Sequence, residues 1–410
     1  MSAPAQDTPS LLRHGGFRQF WSARVLSTGC FQIVSVVIGW QIYDLTHSAL
    51  HLGLVGLCQF LPMLVLTIPA GHIADRFDRR TVVRCCQMVA GLTGAALALA
   101  SWQGLINPAI IFAAAVVIGA GRTFEMPTTA ALLPMIVSPG QLPRALALSA
   151  SAIQTATIIG PALGGLLYIV GPGPAYLFVA FFYGLASILV SRLRVLAPPA
   201  AREPATLRSV FSGFSFIRSR PIILGAISLD MVAVLLGGAT ALLPIYARDI
   251  LHTNALGLGA LRASPAIGAL LMSLVLARWP LERRVGLKMF GAVALFGLAT
   301  VVFGLSSWFA LSLPALMVMG AADVVSVVVR STLVQLGTPD AMRGRVSAVN
   351  AMFIGTSNQL GEFESGVTAA LFGPVEAVVL GGLGTILVAL IWSRLFKPLR
   401  DADRFPSGSA

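Results

Sequence analysis

Gly71-His72-Ile73-Ala74-Asp75-Arg76-Phe77-Asp78-Arg79-Arg80 is a dense polar stretch set between two long apolar runs. Its glycine permits close approach of helices, and an aspartate of this kind can cap a neighbouring helix N-terminus. Its arginines can pair with that carboxylate and anchor to anionic headgroups. Outward from it the rest of the chain is apolar. Of 410 residues, 56% are hydrophobic and 11% charged, and the mean hydropathy is +0.85. Ordinary soluble domains carry about 25% charged residues, so a soluble globular protein is excluded. A membrane span needs about 20 mostly apolar residues. Runs bounded by charge, Pro or Gly predict twelve: 20–43, 52–74, 81–102, 107–136, 144–170, 174–193, 221–246, 255–277, 286–306, 309–335, 346–371 and 375–395.

The net charge of +12 would suggest nucleic acid in a soluble chain, but its distribution says otherwise. With these spans, 23 of the 28 Lys and Arg residues fall in the N-terminus, the C-terminus and the loops on their side, or in the span ends that border them. The opposite loops hold Arg248, and Arg24, Arg122, Arg262 and Arg330 fall inside spans. The positive-inside rule then predicts a multi-pass plasma (inner) membrane protein with both termini cytoplasmic and no nucleic-acid partner. Arg outnumbers Lys 26 to 2, which points to a bacterial, GC-rich source. The N-terminal residues lack the basic region and short apolar core of a cleaved leader, so the first apolar run is read as a retained span. Cys30, Cys58, Cys85 and Cys86 read as small apolar residues of helices.

Residues 192–220 are the longest polar stretch, and the two sides of it repeat each other. Leu52-Gly53-Leu54-Val55-Gly56-Leu57 corresponds to Leu256-Gly257-Leu258-Gly259-Ala260-Leu261 at an offset of 204, as Arg79-Arg80 does to Arg283-Arg284. Gly119, Arg144, Gly160 and Gly165 match Gly320, Arg345, Gly361 and Gly366 at 201. The expected organisation is an N-terminal six-helix bundle (1–191), a cytoplasmic central linker (192–220), a C-terminal six-helix bundle (221–397) and a cytoplasmic tail (398–410).

The stretch from Gly71 to Arg80 resembles the loop signature of the major facilitator superfamily, G-x-x-x-D-R-x-x-R-R, at every fixed position: Gly71, Asp75, Arg76, Arg79 and Arg80. The resemblance implies an all-α integral membrane fold of twelve transmembrane helices in two six-helix halves. It also implies that Asp75 and Arg76 belong to a cytoplasmic latch holding the halves together when the protein opens outward. The second copy, Arg278-Trp279-Pro280-Leu281-Glu282-Arg283-Arg284, lacks the Gly and Asp, so latching is expected to be asymmetric. Gly160-Pro161-Ala162-Leu163-Gly164-Gly165 is similar to the G-P-x-x-G-G of proton-coupled exporters in the superfamily. In physical terms the proline bends the helix and Gly160, Gly164 and Gly165 let another helix pack closely; the same features also serve plain helix packing. The stretch from Thr338 to Gly366 resembles the branch containing the enterobactin exporter.

Charges inside spans cost about 2.5–3.5 kcal/mol each at a helix centre and usually face a cavity or a partner. Arg122 and Glu125 are three residues apart on one helix face and can pair. Asp323 and Arg330 are seven apart, again on one face, and a buried ion pair is the plain reading. Asp230 has no opposite charge one turn away, which makes it the first candidate for the proton-carrying carboxylate, with Arg24 as a partner across the halves. Glu362 and Glu364 point about 200° apart on a helix, so one of them faces the cavity. Superfamily members often follow the arginine of this fourth span with Gln-Gly three and four residues on, where this chain has Glu125-Met126; the departure weakens transfer of a proton-relay role to Arg122, which stays among the candidate coupling or cavity charges. Phe31, Trp40, Phe60, Phe124 and Met126 are positioned to line a cavity or to pack.

No H-E-x-x-H, G-x-S-x-G or Walker loop is present, which argues against an enzyme and against direct ATP coupling. His47 and His51, four apart beside Asp44, read as a solvated loop, and no metal or cofactor is called for. The expected function is a secondary-active exporter, an antiporter driven by protons, of small amphipathic organic substrates such as siderophores or drugs. It would be functional as a monomer in the lipid bilayer. Import of a small organic solute or lysolipid on the same fold is the alternative, and a non-transporting receptor or accessory subunit is the alternative of another class.

Overall fold

The structure is a computed structural model describing residue 11, residues 15–193, residue 195 and residues 207–405. The described residues form helices and their connections, without strands. In a bilayer every backbone N–H and C=O must be satisfied within its own segment, which is why these apolar runs become helices. The first six are α1 (Gly15–Thr46), α2 (Ala49–Arg76), α3 (Arg79–Trp102), α4 (Pro108–Ile136), α5 (Leu142–Val170) and α6 (Pro172–Ser191). A shorter helix, α7 (Leu207–Ser219), leads into α8 (Pro221–Leu236), whose path continues through the single turn α9 (Leu243–Ile245) and a π turn to Ile250. Then come α10 (Ala255–Arg278), α11 (Val285–Leu305), α12 (Phe309–Leu336), α13 (Asp340–Phe372), α14 (Pro374–Leu395) and the one-turn α15 (Lys397–Arg400).

Eleven segments are long and apolar enough to cross a membrane, Pro221–Ile250 counting as one. The exception among the long helices, α13, carries Arg343, Arg345, Glu362 and Glu364 and is the twelfth helix of the bundle. Helices run past the predicted spans where polar turns continue an apolar one: α1 begins at Gly15 rather than 20, and α13 at Asp340 rather than 346. Starts are set by local capping. Asn107 accepts the Ile110 amide and Asn254 the Gly257 amide, opening α4 and α10.

Of the linker, residue 194 and residues 196–206, with Arg194 and Arg202, lie outside the described residues, as do residues 1–10, 12–14 and 406–410. The described remainder of the linker contains α7, which packs on α13 and α8. Past α14 the chain folds back: Leu399 is fully buried, and the Gly286 amide donates to the Ala402 carbonyl at 3.0 Å.

Within the first six helices α3 packs on α6, α2 on α4, and α1 on α5 and α6; in the second set α10 packs on α12 and α11 on α12 and α14. The repeat has a structural counterpart. A Cβ at Gly119 would lie 2.3 Å from the Gln59 carbonyl oxygen, and one at the matching Gly320 would lie 1.9 Å from that of Pro265. In both sets a glycine at the same register lets two helix backbones touch.

The two sets meet through α2 on α13 and α5 on α10. These contacts occupy the end of the bundle away from the arginine-rich loops. Along α2, Gly53 packs on Gly366, Gly56 on Glu362 and Met63 on Gly355. Further on, a Cβ at Gly71 or Gly344 would meet nothing within 4 Å. Along α5, Gly165 packs on Ala255, Gly259 on Pro161, and the Gln154 side-chain amide donates to Ala266 O at 3.1 Å. The contacts between the two sets therefore concentrate at the end away from the arginine-rich loops, while Gly71 of α2 and Gly344 of α13 have open space beside them.

Candidate functional site

The intramembrane charges gather in three places. In the first six helices a cavity of about 70 Å³ lies between α1, α3 and α4, lined by Arg24, Ser27, Gln87, Arg122, Glu125 and Thr129 among others. The buried Glu125 carboxylate accepts a short hydrogen bond from the Ser27 hydroxyl and one of 3.0 Å from the Gln87 side-chain amide. It does not form the expected ion pair with Arg122. That guanidinium lies instead 4.3 Å from the centre of the Phe31 ring, a cation–π contact that holds it away along α1. Arg24 stacks near Phe20 at 5.9 Å in the same cavity, so it does not partner Asp230.

In the second set, Arg330 Nη1 is 2.8 Å from Asp230 Oδ2, with side chains 4% and 6% exposed. Two expectations change with this bond. Asp230 is not isolated, and Arg330 pairs with it rather than with Asp323, because α8 packs on α12 and brings Asp230 to the arginine. Asp323 is left lining two cavities, one shared with Asp230 and Ser326, the other of about 180 Å³ shared with Asn358 and Glu362. Its carboxylate has no hydrogen-bond or ion-pair partner among the described residues.

Between the two sets, a cavity of about 200 Å³ is lined by α1, α2, α5, α10, α13 and the turn before α9. Its charges are Arg262 and Glu362, both from the second set, while Gln32, Ser35 and Gln59 come from the first. Their ends rest on glycines across the interface: Arg262 Nη2 is 3.1 Å from where a Cβ of Gly39 would stand, and Glu362 Oε2 is 2.8 Å from that of Gly56. Glu364, on the other side of α13, accepts the Thr368 hydroxyl at 2.8 Å. Glu362 joins this cavity to the one at Asp323. Sequence reasoning noted Arg262 inside a span without assigning it. The signal available was that an arginine so deep in α10 needs a cavity.

The glycines of the fifth helix divide their contacts. Gly160 and Gly164 face Gln32 and Ile33 of α1, whereas Gly165 and the Pro161 carbonyl meet Ala255 and Gly259 of α10. The Gly71–Arg80 stretch ends α2 and begins α3. Of Asp75 the backbone alone is described, in the last turns of α2, and Arg76 is exposed. Asp78, absent from the candidate set, caps α3 by accepting the Arg80 amide at 2.9 Å and pairs with its guanidinium at 2.7 Å. The Arg80 hydrogen bond, aided by the backbone amides, holds the Asp78 carboxyl below its ordinary range. Arg80 also donates to Leu193 O at 3.1 Å and Arg79 to Ala131 O at 3.2 Å, tying α3 to the ends of α6 and α4.

At the opposite end, Arg248 pairs with Asp44 and the Tyr43 hydroxyl donates to Asp249, two contacts that sequence reasoning did not anticipate. Asp44 and Arg248 are 204 residues apart, the offset of the repeat itself. Matching helix ends meet at the quasi-symmetry axis, and opposite charges at one register form a bond between halves. Among the described residues no cluster of His, Cys, Asp or Glu forms a metal site.

The family described as transmembrane secretion effector matches residues 7–409. The chain belongs to that family. As a transmembrane secretion effector it has curated relatives along its whole length: it is 28% identical over 401 residues to the enterobactin exporter EntS of Citrobacter koseri, covering 95% of this chain and 94% of that one. With the enterobactin exporter of Escherichia coli K12 the identity is 26% over 407 residues, covering 97% and 96%. Its fold is that of the major facilitator transporters. A bacterial homolog of the human lysosomal transporter Spinster, solved inward-facing and unoccupied, matches with a TM-score of 0.77 at 13% identity, over 96% of this chain and 99% of that one. The nucleoside transporter NupG matches with a TM-score of 0.68 at 14% identity, over 93% and 99%. This transmembrane secretion effector is a multi-pass membrane transporter.

Proposed function

We propose that the chain is a proton-coupled exporter of amphipathic organic compounds, siderophores or drug-like molecules, working by alternating access as a monomer in a bacterial inner membrane. The observation that carries this reading is Asp323, a carboxylate inside a membrane helix that lines two cavities and makes no hydrogen bond or salt bridge among the described residues, the nearby Arg330 being paired with Asp230. Such a charge is expensive in a bilayer, and a proton removes the cost. The positive-inside rule assigns the arginine-rich end to the cytoplasm, so both termini are cytoplasmic and that end of the bundle opens inward. The halves are residues 1–191 and 221–397, joined by the linker 192–220 and followed by the tail 398–410.

The cycle follows from linkage between proton occupancy and conformation. Open inward, Asp323 gives its proton to the cytoplasm and cargo enters the cavity that joins Glu362 to it. The halves then rock apart at the Asp44–Arg248 end and close at the arginine-rich end, where Asp75 and Arg76 form the latch. Cargo leaves, Asp323 takes a proton from outside, and the neutral carboxyl lets the protein return. The Gly160–Gly165 face and Pro161 supply the bent, close-packed surface on which the halves pivot. The Asp230–Arg330 pair, Glu125 and Glu362 set the field around the cavities. The aligned exporters of enterobactin support the outward direction.

Direction and cargo class are tested by growth and accumulation in a host that overexpresses the chain, on toxic siderophores, macrolides and dyes. Resistance with lowered accumulation is the expected result. Raised accumulation would replace this reading by import.

A further inference from the structure

The first-half and second-half cavities occupy matching registers of the repeat and carry opposite charge. Arg122 of α4 and Asp323 of α12 are 201 apart, the offset that also relates Gly119 to Gly320. Around Asp323 stand two carboxylates and one guanidinium, with Asp230 and Arg330 already paired. Around Arg122 stand two guanidiniums, Arg24 and Arg122, and one carboxylate, Glu125. The Glu125 carboxylate is engaged by Ser27 and Gln87, neither of which is charged. A site with one net positive charge inside a membrane helix bundle is as costly as one with a net negative charge, and a bound anion is the group that relieves it.

Two further donors point to a ligand. Arg24 Nε and Thr129 Oγ1 are buried in the wall of this cavity with no hydrogen-bond partner among the described residues. The rest of the wall is apolar, including Phe20, Leu132 and Ile153. Met126, which also lines it, is well exposed, so the cavity reaches the surface of the helix bundle. A guanidinium pair with a hydroxyl beside it, set in an apolar wall, matches a carboxylate or similarly delocalised anion on an aromatic or apolar body.

We infer that the cavity of Arg24, Arg122 and Thr129 is an anion-binding subsite that takes the acidic group of an amphipathic cargo. Arg24 and Arg122 hold the anion, and the hydroxyl of Thr129 donates to it. Glu125, fixed by Ser27 and Gln87, excludes a second anion and orients the site. The division of labour between halves is then chemical: the half with excess carboxylate handles the proton, and the half with excess guanidinium handles the cargo anion. Calling the ligand cargo rests on the exporter reading, whereas the binding itself does not.

The test is equilibrium binding of radiolabelled benzoate to the purified full-length protein in detergent micelles at neutral pH, without any gradient. Benzamide, the uncharged isostere, serves as competitor. Saturable binding of one benzoate per chain is expected, displaced by unlabelled benzoate and not by benzamide. Arg24→Gln and Arg122→Gln are each expected to weaken it at least about tenfold. Arg24→Lys, which keeps the charge, retains most of the affinity. Arg262→Gln, in the cavity between the halves, reports whether benzoate binds there instead, and Arg283→Gln, exposed in the turn before α11, leaves the affinity unchanged. Size-exclusion profile and thermal midpoint verify folding, and if Arg24→Gln fails to fold, Arg122→Gln decides. Absence of saturable benzoate binding by the parent would overturn the inference. So would equal displacement by benzamide, parental affinity in both glutamine variants, or loss confined to Arg262→Gln. Intact benzoate binding in a protein that shows no gradient-driven flux would instead remove the exporter reading and leave the subsite standing.

Discussion

Replacing Asp230 by Asn takes the carboxylate away from an arginine that is 4% exposed and 2.8 Å from it. Breaking a buried pair by removing one partner costs about 3–5 kcal/mol, because the surviving charge is left without compensation. Here the lower end applies. Asp323, seven residues before Arg330 on α12 and in one cavity with Asp230, supplies part of the lost field. The expected cost of Asp230→Asn is about 3 kcal/mol, and that of Arg330→Met is similar, since two neighbouring carboxylates then face each other. The double variant loses both charges at once, and its expected cost falls to about 1 kcal/mol. The cycle therefore predicts a coupling energy of about 5 kcal/mol, far above the few tenths typical of independent sites. Denaturant unfolding of the four proteins in detergent micelles, read by tryptophan fluorescence, measures it. Additive single effects would refute the pairing and return Asp230 to the role of free carboxylate.

Gly165→Ala places a Cβ about 2 Å from the Ala255 carbonyl oxygen, so the state closed at that end is destabilised by about 2 kcal/mol and its population relative to the state open there falls about thirtyfold. A cysteine at Ser35, in the cavity between halves, should then be alkylated faster by an impermeant reagent from outside; an unchanged rate contradicts the packing argument. Asp44→Ala removes the bond to Arg248 across the halves and is expected to raise the same alkylation rate a few-fold, the exposed pair being worth about 1 kcal/mol or less. Asp78→Ala removes the cap of α3 and costs about 1 kcal/mol at neutral pH. Since the folded carboxyl binds its proton less readily than the unfolded one, that contribution is complete above the ordinary carboxylate range and is lost as pH falls below it, so parent and variant should converge in acid unfolding.

The fold was readable because a bilayer leaves few options. Apolar runs of sufficient length, the basic asymmetry of the loops and the Gly71–Arg80 stretch point to one architecture, and the matched glycines at 119 and 320 do the same work in both halves. The site was readable only as a set of charges. Pairings could not be read from spacing along one helix, since the partner of Arg330 came from α8 rather than α12, and Phe31 of α1 captured Arg122. Helical spacing tells which residues share a face, while the crossing helix decides what that face meets. Arg262 went unassigned, and Ser27 and Gln87 escaped notice, for the same reason, each acting on a group from another helix. The Asp44–Arg248 bond was accessible in principle, because its separation equals the repeat offset, but that requires treating the repeat as a symmetry axis rather than as a pattern.

The central claim, that Asp323 carries the coupling proton, is tested most directly by flux in proteoliposomes. The parent, Asp323→Asn and Asp230→Asn are reconstituted side by side, and transport of a cargo identified by the resistance screen is followed with and without an imposed proton gradient. The account predicts that the parent is accelerated by the gradient and that Asp323→Asn still exchanges cargo down its own concentration gradient but no longer responds to protons. It predicts that Asp230→Asn is slower yet still gradient-dependent. Full gradient dependence in Asp323→Asn would contradict it.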